Sequence, residues 1–302
     1  MDRMKILLFG RNGQVGWELQ RSLAPLGEVV AVDRAGGALC GDLTDLEGIA
    51  RTVRTVGPAV IVNAAAYTAV DRAESEPELC YAINSAAPAV LAAEARHAGA
   101  WMVHYSTDYV FDGAGSAPWI ETDPTAALNV YGRSKAQGEE GVVLACPQHL
   151  ILRTSWVYAA RGSNFVRTML RLASEREKLS VVDDQFGAPT GAELIADVTA
   201  HAIKAAMNSP ALAGTYHLVP EGETTWLGFA SEILAKASSA GHPVKAVLEP
   251  VPTSAYPTAA RRPHNSRLNN KKLESAFGLQ LPTWQRGLER VLASCVAPKN
   301  QS

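Results

Sequence analysis

The sequence predicts an α/β fold: a doubly wound parallel sheet of the Rossmann type, with a smaller α/β substrate-binding domain. Three observations carry this expectation. Short apolar runs alternate with helical patterns through the first half of the 302-residue chain, as they do when strands are buried between two helical layers. A glycine-rich turn, Gly10-Arg-Asn-Gly13-Gln-Val-Gly16, opens directly after the first apolar run. The second apolar run ends on a carboxylate, Asp33, the position from which a βαβ unit reaches a nucleotide ribose.

Taken in order, residues 5–9 read as a buried strand, 14–26 as a helix and 29–33 as a second strand. Further apolar strands follow at 59–63, 101–106 and 150–154, with helices at 78–97 and 135–144 between them. After Ser155 the alternation loosens into a helix at 165–176, a strand at 179–182, a helix at 192–207 and a proline-rich stretch at 250–263. This division assigns 1–160 to a dinucleotide-binding domain and 161–302 mainly to a substrate domain. The two are expected to interleave, because no linker composition marks the border and no repeat or low-complexity segment is visible.

Composition narrows the class of partner. With 47 % hydrophobic residues the chain can bury one large core or two modest ones. A formal net charge of −2 leaves no basic surplus for nucleic acid or an anionic membrane. No apolar run approaches the roughly 18–20 residues of a membrane span, and the start runs into the first strand without a leader pattern. A cytoplasmic protein is expected. Cys40, Cys80, Cys146 and Cys295 lack ligand-like spacing and are expected to be reduced thiols.

Glycine clusters alone are weak signals, since they also make plain turns. The strand before, the helix after and Asp33 together give this one its meaning. Gly10 would permit the bend, Gly13 the approach of backbone to a pyrophosphate and Gly16 the packing of helix on strand, with Asn12, Gln14 and Val15 completing the cofactor turn. Asp33 favours NADH, because a carboxylate repels a 2′-phosphate. Arg11 and Arg34 favour NADPH, because the guanidinium fork suits phosphate. NADPH with NADH tolerated is the resulting expectation. Asp42 and Leu43 are expected to end a short strand by the adenine. In Asn63-Ala-Ala-Ala66 the small side chains allow close approach, making Ala65, Ala66 and Tyr67 cofactor neighbours.

Tyr131 and Lys135 are four residues apart in Tyr131-Gly-Arg-Ser-Lys135. On a helix they share one face, so the ammonium is expected to bring the phenol from its usual value of about 10 towards working pH. Tyr131 is then a proton donor or acceptor. Thr107 follows the strand at 101–106 on the sheet's carboxyl side, where ligands of open α/β sheets bind, and its hydroxyl could bond both the phenol and a substrate oxygen. Ser106 is expected to be a satisfied strand-end hydroxyl.

Gly-x-x-Gly-x-x-Gly, Asn-Ala-Ala-Ala, Ser-Thr-Asp-Tyr-Val-Phe and Tyr-x-x-x-Lys resemble the extended short-chain dehydrogenase/reductase family. Gly13-Gln-Val-Gly16-Trp-Glu-Leu, Asn129-Val-Tyr-Gly, Arg153-Thr-Ser-Trp-Val-Tyr158, Asp184-Gln-Phe-Gly-Ala-Pro-Thr190 and Ala260-Arg-Arg-Pro-His-Asn-Ser266 narrow the resemblance to the dTDP-4-dehydrorhamnose reductase family, over residues 4–292. The resemblance implies NAD(P)H-dependent reduction of the 4-keto group of dTDP-6-deoxy-L-lyxo-4-hexulose to dTDP-L-rhamnose, for surface polysaccharide. It implies Tyr131 as proton donor, Thr107 polarising the carbonyl, Lys135 on the nicotinamide ribose, Asp108 and Trp156 on the deoxysugar, and Arg262 with His264 or Asn265 on the dTDP portion. Without it, Arg261-Arg262 reads as a solvated turn and Trp156 as core.

The family has also been linked to Mg²⁺ held by carboxylates at a subunit boundary, with Glu18 and Glu193 in the matching motifs. Two carboxylates make a weak site for so hard a cation, and Leu292-Ala-Ser-Cys-Val supplies no third acid. No metal is therefore expected, and a homodimer, if formed, is not expected to be metal-bridged. Two other readings remain open. A nucleotide-sugar epimerase or dehydratase shares the fold, although Tyr109 after Asp108 breaks the Asp-Glu pair that elimination would use. The regulatory β subunit of methionine adenosyltransferase resembles the same reductases without their activity.

Overall fold

The protein is described by a computed structural model over residues 4–296. At its centre lies a six-stranded parallel sheet. The strands are β1 (Lys5–Phe9), β2 (Glu28–Val32), β3 (Val60–Asn63), β4 (Trp101–Thr107) and β5 (His149–Thr154), joined at the edge by Gly214–His217. Their spatial order is Gly214–His217, β5, β4, β3, β1, β2, so the winding reverses between β1 and β3. Loops on either side of that reversal diverge, which opens a crevice at the carboxyl ends of the strands.

Both faces of the sheet are apolar because both are covered. Ile6 and Leu8 of β1, with Val60, Val62, Val103 and Leu152, pack against Leu19 and Leu23 of helix Gln14–Leu23 and against helix Ala192–Asn208. Leu7 and Phe9, with Ile61, Met102 and Ile151, pack against helices Leu46–Val56, Ala87–Ala98 and Val130–Ala145. The period-2 alternation of a strand thus feeds two separate cores. The expected doubly wound parallel sheet is what the chain forms.

Several boundaries differ from the sequence reading. The helix expected at 14–26 stops at Leu23: Ala24 keeps helical backbone as its cap, and Pro25 offers no N–H with which to continue the hydrogen-bond ladder. The helix expected at 78–97 is broken by a π-helical turn, Ala82–Ala86, between Pro77–Tyr81 and Ala87–Ala98. Asp42 and Leu43 form no strand. The Asp42 carboxylate instead accepts from the Thr44 N–H (3.0 Å) and hydroxyl (2.8 Å), a local turn that competes with strand pairing.

Beyond residue 156 a separate core gathers Tyr158, helices Phe165–Glu175, Trp226–Ser239 and Trp284–Val296, and strand Lys178–Val182. That strand pairs in parallel with Val247–Val251, a strand the sequence reading did not place, whose last two residues open the stretch read as proline-rich. The chain also returns to the first layers. Helix Ala192–Asn208 lies on helix Gln14–Leu23, and Gly214–His217 extends the sheet beside β5. Among the described residues no helix is long and apolar enough to cross a membrane.

Candidate functional site

The glycine turn sits at the β1/β3 reversal and is tightly built. Gly10 holds φ +87°, and a Cβ there would lie 2.7 Å from the Ala65 nitrogen. A Cβ on Gly16 would lie 2.1 Å from the Gly10 oxygen. Neither position tolerates a side chain. The turn lines a cavity of about 440 Å³ through Gly10, Asn12 and Gly13, together with Asp33, Arg34, Asp42, Leu43, Ala65, Ala66 and Tyr67. Gln14 accepts a hydrogen bond from Asn164 (2.9 Å), and Val15 turns its side chain into the core, leaving only its backbone to the turn.

Electrostatics here depart from the sequence reading in one respect. Arg11 Nε donates to Asp33 Oδ2 at 2.6 Å, and Asn12 Nδ2 donates to the same oxygen at 2.6 Å. The Arg11 bond, aided by the Ala35 N–H, holds the carboxyl below its usual range against the opposing effect of burial. Arg34 faces Asp42 at 3.5 Å and is 81 % exposed. Asp33 is therefore a neutralised carboxylate, not a bare one.

Tyr131 lies in the first turn of helix Val130–Ala145. That helix starts at Asn129, whose Oδ1 accepts from the Gly132 N–H at 2.8 Å, while Glu74 accepts from the Val130 N–H at 2.7 Å. The turn Asp108–Val110 packs on this helix start, with Tyr109 edge-to-face on Tyr131 at 5.8 Å. Thr107, at the carboxyl end of β4, donates to Asp108 Oδ1 (3.0 Å) and accepts from the Tyr109 N–H (3.1 Å). One turn beyond Tyr131, Lys135 is 2 % exposed. Its amino group donates to the Tyr105 carbonyl (2.6 Å) and meets His104 Nε2 (3.1 Å).

The expected effect of Lys135 on the phenol is not what this geometry produces. Burial pushes Tyr131 above its ordinary value, with Thr107 beside it acting the other way and Asp108 and Tyr109 reinforcing the rise. Lys135 is turned towards His104 and Tyr105, and burial lowers it to about 8. Ser106 is a second correction. Its hydroxyl is buried with no partner, while its neighbour across the ladder, Arg153, gives Nε and Nη2 to Glu139 (2.9 and 2.6 Å). Asp108 is buried with Oδ2 unpartnered, and burial raises its carboxyl to about 6.

The remaining expected substrate residues divide. Arg262 reaches the Tyr131 neighbourhood, donating to Asp71 Oδ2 (2.6 Å) and lying 3.4 Å from the Tyr109 hydroxyl. Trp156 follows β5, holds φ +48° and stacks on Trp226 with centroids 3.7 Å apart. His264 is an exposed ring whose Nδ1 faces the Asp184 carbonyl at 2.9 Å. Asn265 is turned inward. Its amide holds the Ala117 carbonyl (2.8 Å) and its Oδ1 accepts from the Arg267 N–H, so it shapes the loop before Trp119.

No cluster of three or more His, Cys, Asp or Glu side chains is placed to hold a metal among the described residues. Glu18 faces Arg21 (3.5 Å) and Glu193 faces Arg290 (3.0 Å). All four cysteines are free thiols. Sequence reading missed Asn84, His104 and Asp71. Asn84 sits in the π-helical turn, where its amide clamps Tyr67 from both sides, N–H to Oδ1 at 2.8 Å and Nδ2 to O at 3.0 Å. Only His104 carried a signal, as a polar residue in an otherwise apolar run.

Fold and site define a Rossmann-type, NAD(P)H-dependent oxidoreductase. A model of the RmlD substrate binding domain matches residues 4–296. The chain is 58 % identical over 290 residues to dTDP-4-dehydrorhamnose reductase of Escherichia coli (strain K12), covering 96 % of this chain and 97 % of that one. It superposes on the crystal structure of dTDP-4-dehydrorhamnose reductase from Bacillus anthracis str. Ames in complex with NADP, with TM-score 0.88 and 36 % identity, over 96 % of this chain and 99 % of that one. UDP-glucose 4-epimerase of Thermus thermophilus, 20 % identical with TM-score 0.78 over 97 % of this chain and 99 % of that one, shares the fold alone. The chain belongs to the dTDP-4-dehydrorhamnose reductase family.

Proposed function

We propose that this protein reduces the 4-keto group of dTDP-6-deoxy-L-lyxo-4-hexulose to give dTDP-L-rhamnose, preferring NADPH and accepting NADH. The observation that carries the reading is the meeting of Thr107, Tyr131 and Lys135 at the carboxyl end of β4, beside the crevice of the glycine turn. The cavity suits a dinucleotide, because Gly10 and Gly13 present bare backbone on its wall, and the close packing of Gly10 and Gly16 against neighbouring backbone holds that turn in place. A reduced nicotinamide bound there supplies the hydride.

The chain's own groups do the rest. The Tyr131 phenol gives its proton to the carbonyl oxygen as that oxygen becomes an alkoxide. Burial that keeps the phenol protonated suits a donor. Thr107 orients the phenol and the carbonyl, and Lys135 anchors the nicotinamide ribose. Asp108 and Trp156 contact the deoxysugar, and Arg262 meets the diphosphate in exchange for Asp71. His264 is placed at the rim. The enzyme works in the cytoplasm on a soluble sugar nucleotide, as a homodimer whose mass sedimentation would read.

The test is NADPH and NADH oxidation with the ketosugar generated in situ from dTDP-glucose by the upstream enzymes. Oxidation with appearance of dTDP-rhamnose supports the reading. A folded, cofactor-binding protein that oxidises neither reductant overturns it.

A further inference from the structure

Behind Lys135 lies a line of polar side chains that the reduction chemistry leaves unused. Asn63 on β3 and His104 on β4 are direct neighbours across the ladder, 1 % and 0 % exposed, and both face helix Val130–Ala145. Asn63 Oδ1 accepts from the Ala65 N–H at 3.2 Å, which turns its NH₂ towards His104 Nδ1 at 3.3 Å. His104 Nε2 then lies 3.1 Å from Lys135 Nζ.

The donors and acceptors along this line have one consistent solution. An amide NH₂ can only donate, so Nδ1 must accept and the His104 proton must sit on Nε2. That proton points at Lys135. An ammonium there would place two donors nose to nose, whereas an amine accepts it while still donating to the Tyr105 carbonyl. Burial favours neutral forms of both groups, holding His104 well below its ordinary value and Lys135 near 8.

We propose that His104, fixed in its Nε2–H tautomer by Asn63, is a positioning residue for the reaction: it anchors Lys135 and decides whether that nitrogen donates or accepts. The hydrogen-bonded line runs from the Ala65 amide, on the wall of the cavity, to the lysine. The other titratable groups acting on Lys135 are Glu139 on the same helix, itself paired with Arg153 from β5, and Cys80 from helix Pro77–Tyr81. Glu139 and Cys80 favour the ammonium, opposing His104. The inference rests on the proposed reduction only for its kinetic consequence.

Long-range ¹H–¹⁵N correlation of the full-length protein reports the tautomer directly, without substrate. The expected result is His104 neutral, protonated on Nε2 and non-titrating from about pH 6 to 9. A proton on Nδ1, or a charged ring in that range, overturns the proposal. In kinetics, His104→Gln offers Lys135 a carbonyl acceptor in place of a donor. The limb of the kcat profile that reports Lys135 should move up by about one pH unit, a tenfold gain in proton affinity. A purely structural role would lower thermal stability and leave that limb in place, and this too overturns the proposal. Should the variant fail to fold, the wild-type tautomer still decides. Wild-type protein that shows the expected tautomer but no turnover removes the proposed reduction and leaves the His104 assignment standing.

Discussion

Arg11 Nε lies 2.6 Å from Asp33 Oδ2, so the residue that would admit a 2′-phosphate holds the carboxylate that would repel it. Asn12 bonds the same oxygen, and the acid cannot act on a ribose without exchanging these partners.

Cofactor preference should therefore sit on Arg11. Arg11→Ala frees the Asp33 charge and removes the cation, and kcat/KM for NADPH is expected to fall on the order of 10–100-fold relative to NADH, the size of one hydrogen bond to a charged group. Parallel steady-state assays with the two reductants read the ratio. An unchanged ratio would move the discrimination elsewhere, Arg34 being the next residue to replace.

Tyr131→Phe removes the phenolic proton and little else. The expected loss in kcat is on the order of 10²–10⁴, while NADPH affinity by fluorescence titration stays near wild type. Turnover at wild-type rates would take Tyr131 out of the chemistry.

Asp108 links stability to pH. Its carboxyl is raised to about 6 from an ordinary value near 3.8, chiefly by burial, so the folded protein binds this proton more tightly than the unfolded chain. Its contribution is fully present at low pH and is lost as pH rises from about 4 through 6. Asp108→Asn, which keeps an acceptor for Thr107 but cannot ionise, is expected to raise the melting temperature more at pH 8 than at pH 5, by roughly 1–2 °C for each kcal/mol relieved in a chain of this size. Melts at the two pH values check the difference, and equal shifts would refute the burial penalty.

Glu139 and Arg153 form a two-bond pair with both side chains 7 % exposed, and Arg153 Nη1 already lacks a partner. Glu139→Gln leaves a buried guanidinium without its counter-charge, which costs about 3–5 kcal/mol in such settings. Urea unfolding should show it as a lower midpoint at unchanged slope. A cost under about 1 kcal/mol would mean that solvent reaches the pair.

Residues whose placement follows from neighbours in the chain are legible in the sequence. Gly10, Gly13 and Gly16 are read from spacing because one turn after one strand has one geometry, and Tyr131 and Lys135 because helix periodicity stacks them. Pro25 is equally visible, yet apolar periodicity alone carries the expected helix through it. Asn265 departs from expectation for a different reason. An amide within a matching motif looks the same whether it faces a ligand or the carbonyl of a distant loop.

Asn84 and Asp71 are illegible, and His104 shows only as a polar residue in an apolar run, because their partners are remote. His104 meets Lys135 from 31 positions away, Asn84 clamps Tyr67 through a π turn that leaves no periodic mark, and Asp71 reaches Arg262 across 191 positions. The amino-acid order by itself determined the alternation that makes a doubly wound sheet, the cradle at Gly10 and the Tyr131–Lys135 face, since each depends on backbone geometry over a few residues. The charge states of Asp33, Asp108, Tyr131 and Lys135 were decided only by the tertiary structure, because burial and opposing charge are set by chain segments that meet through folding.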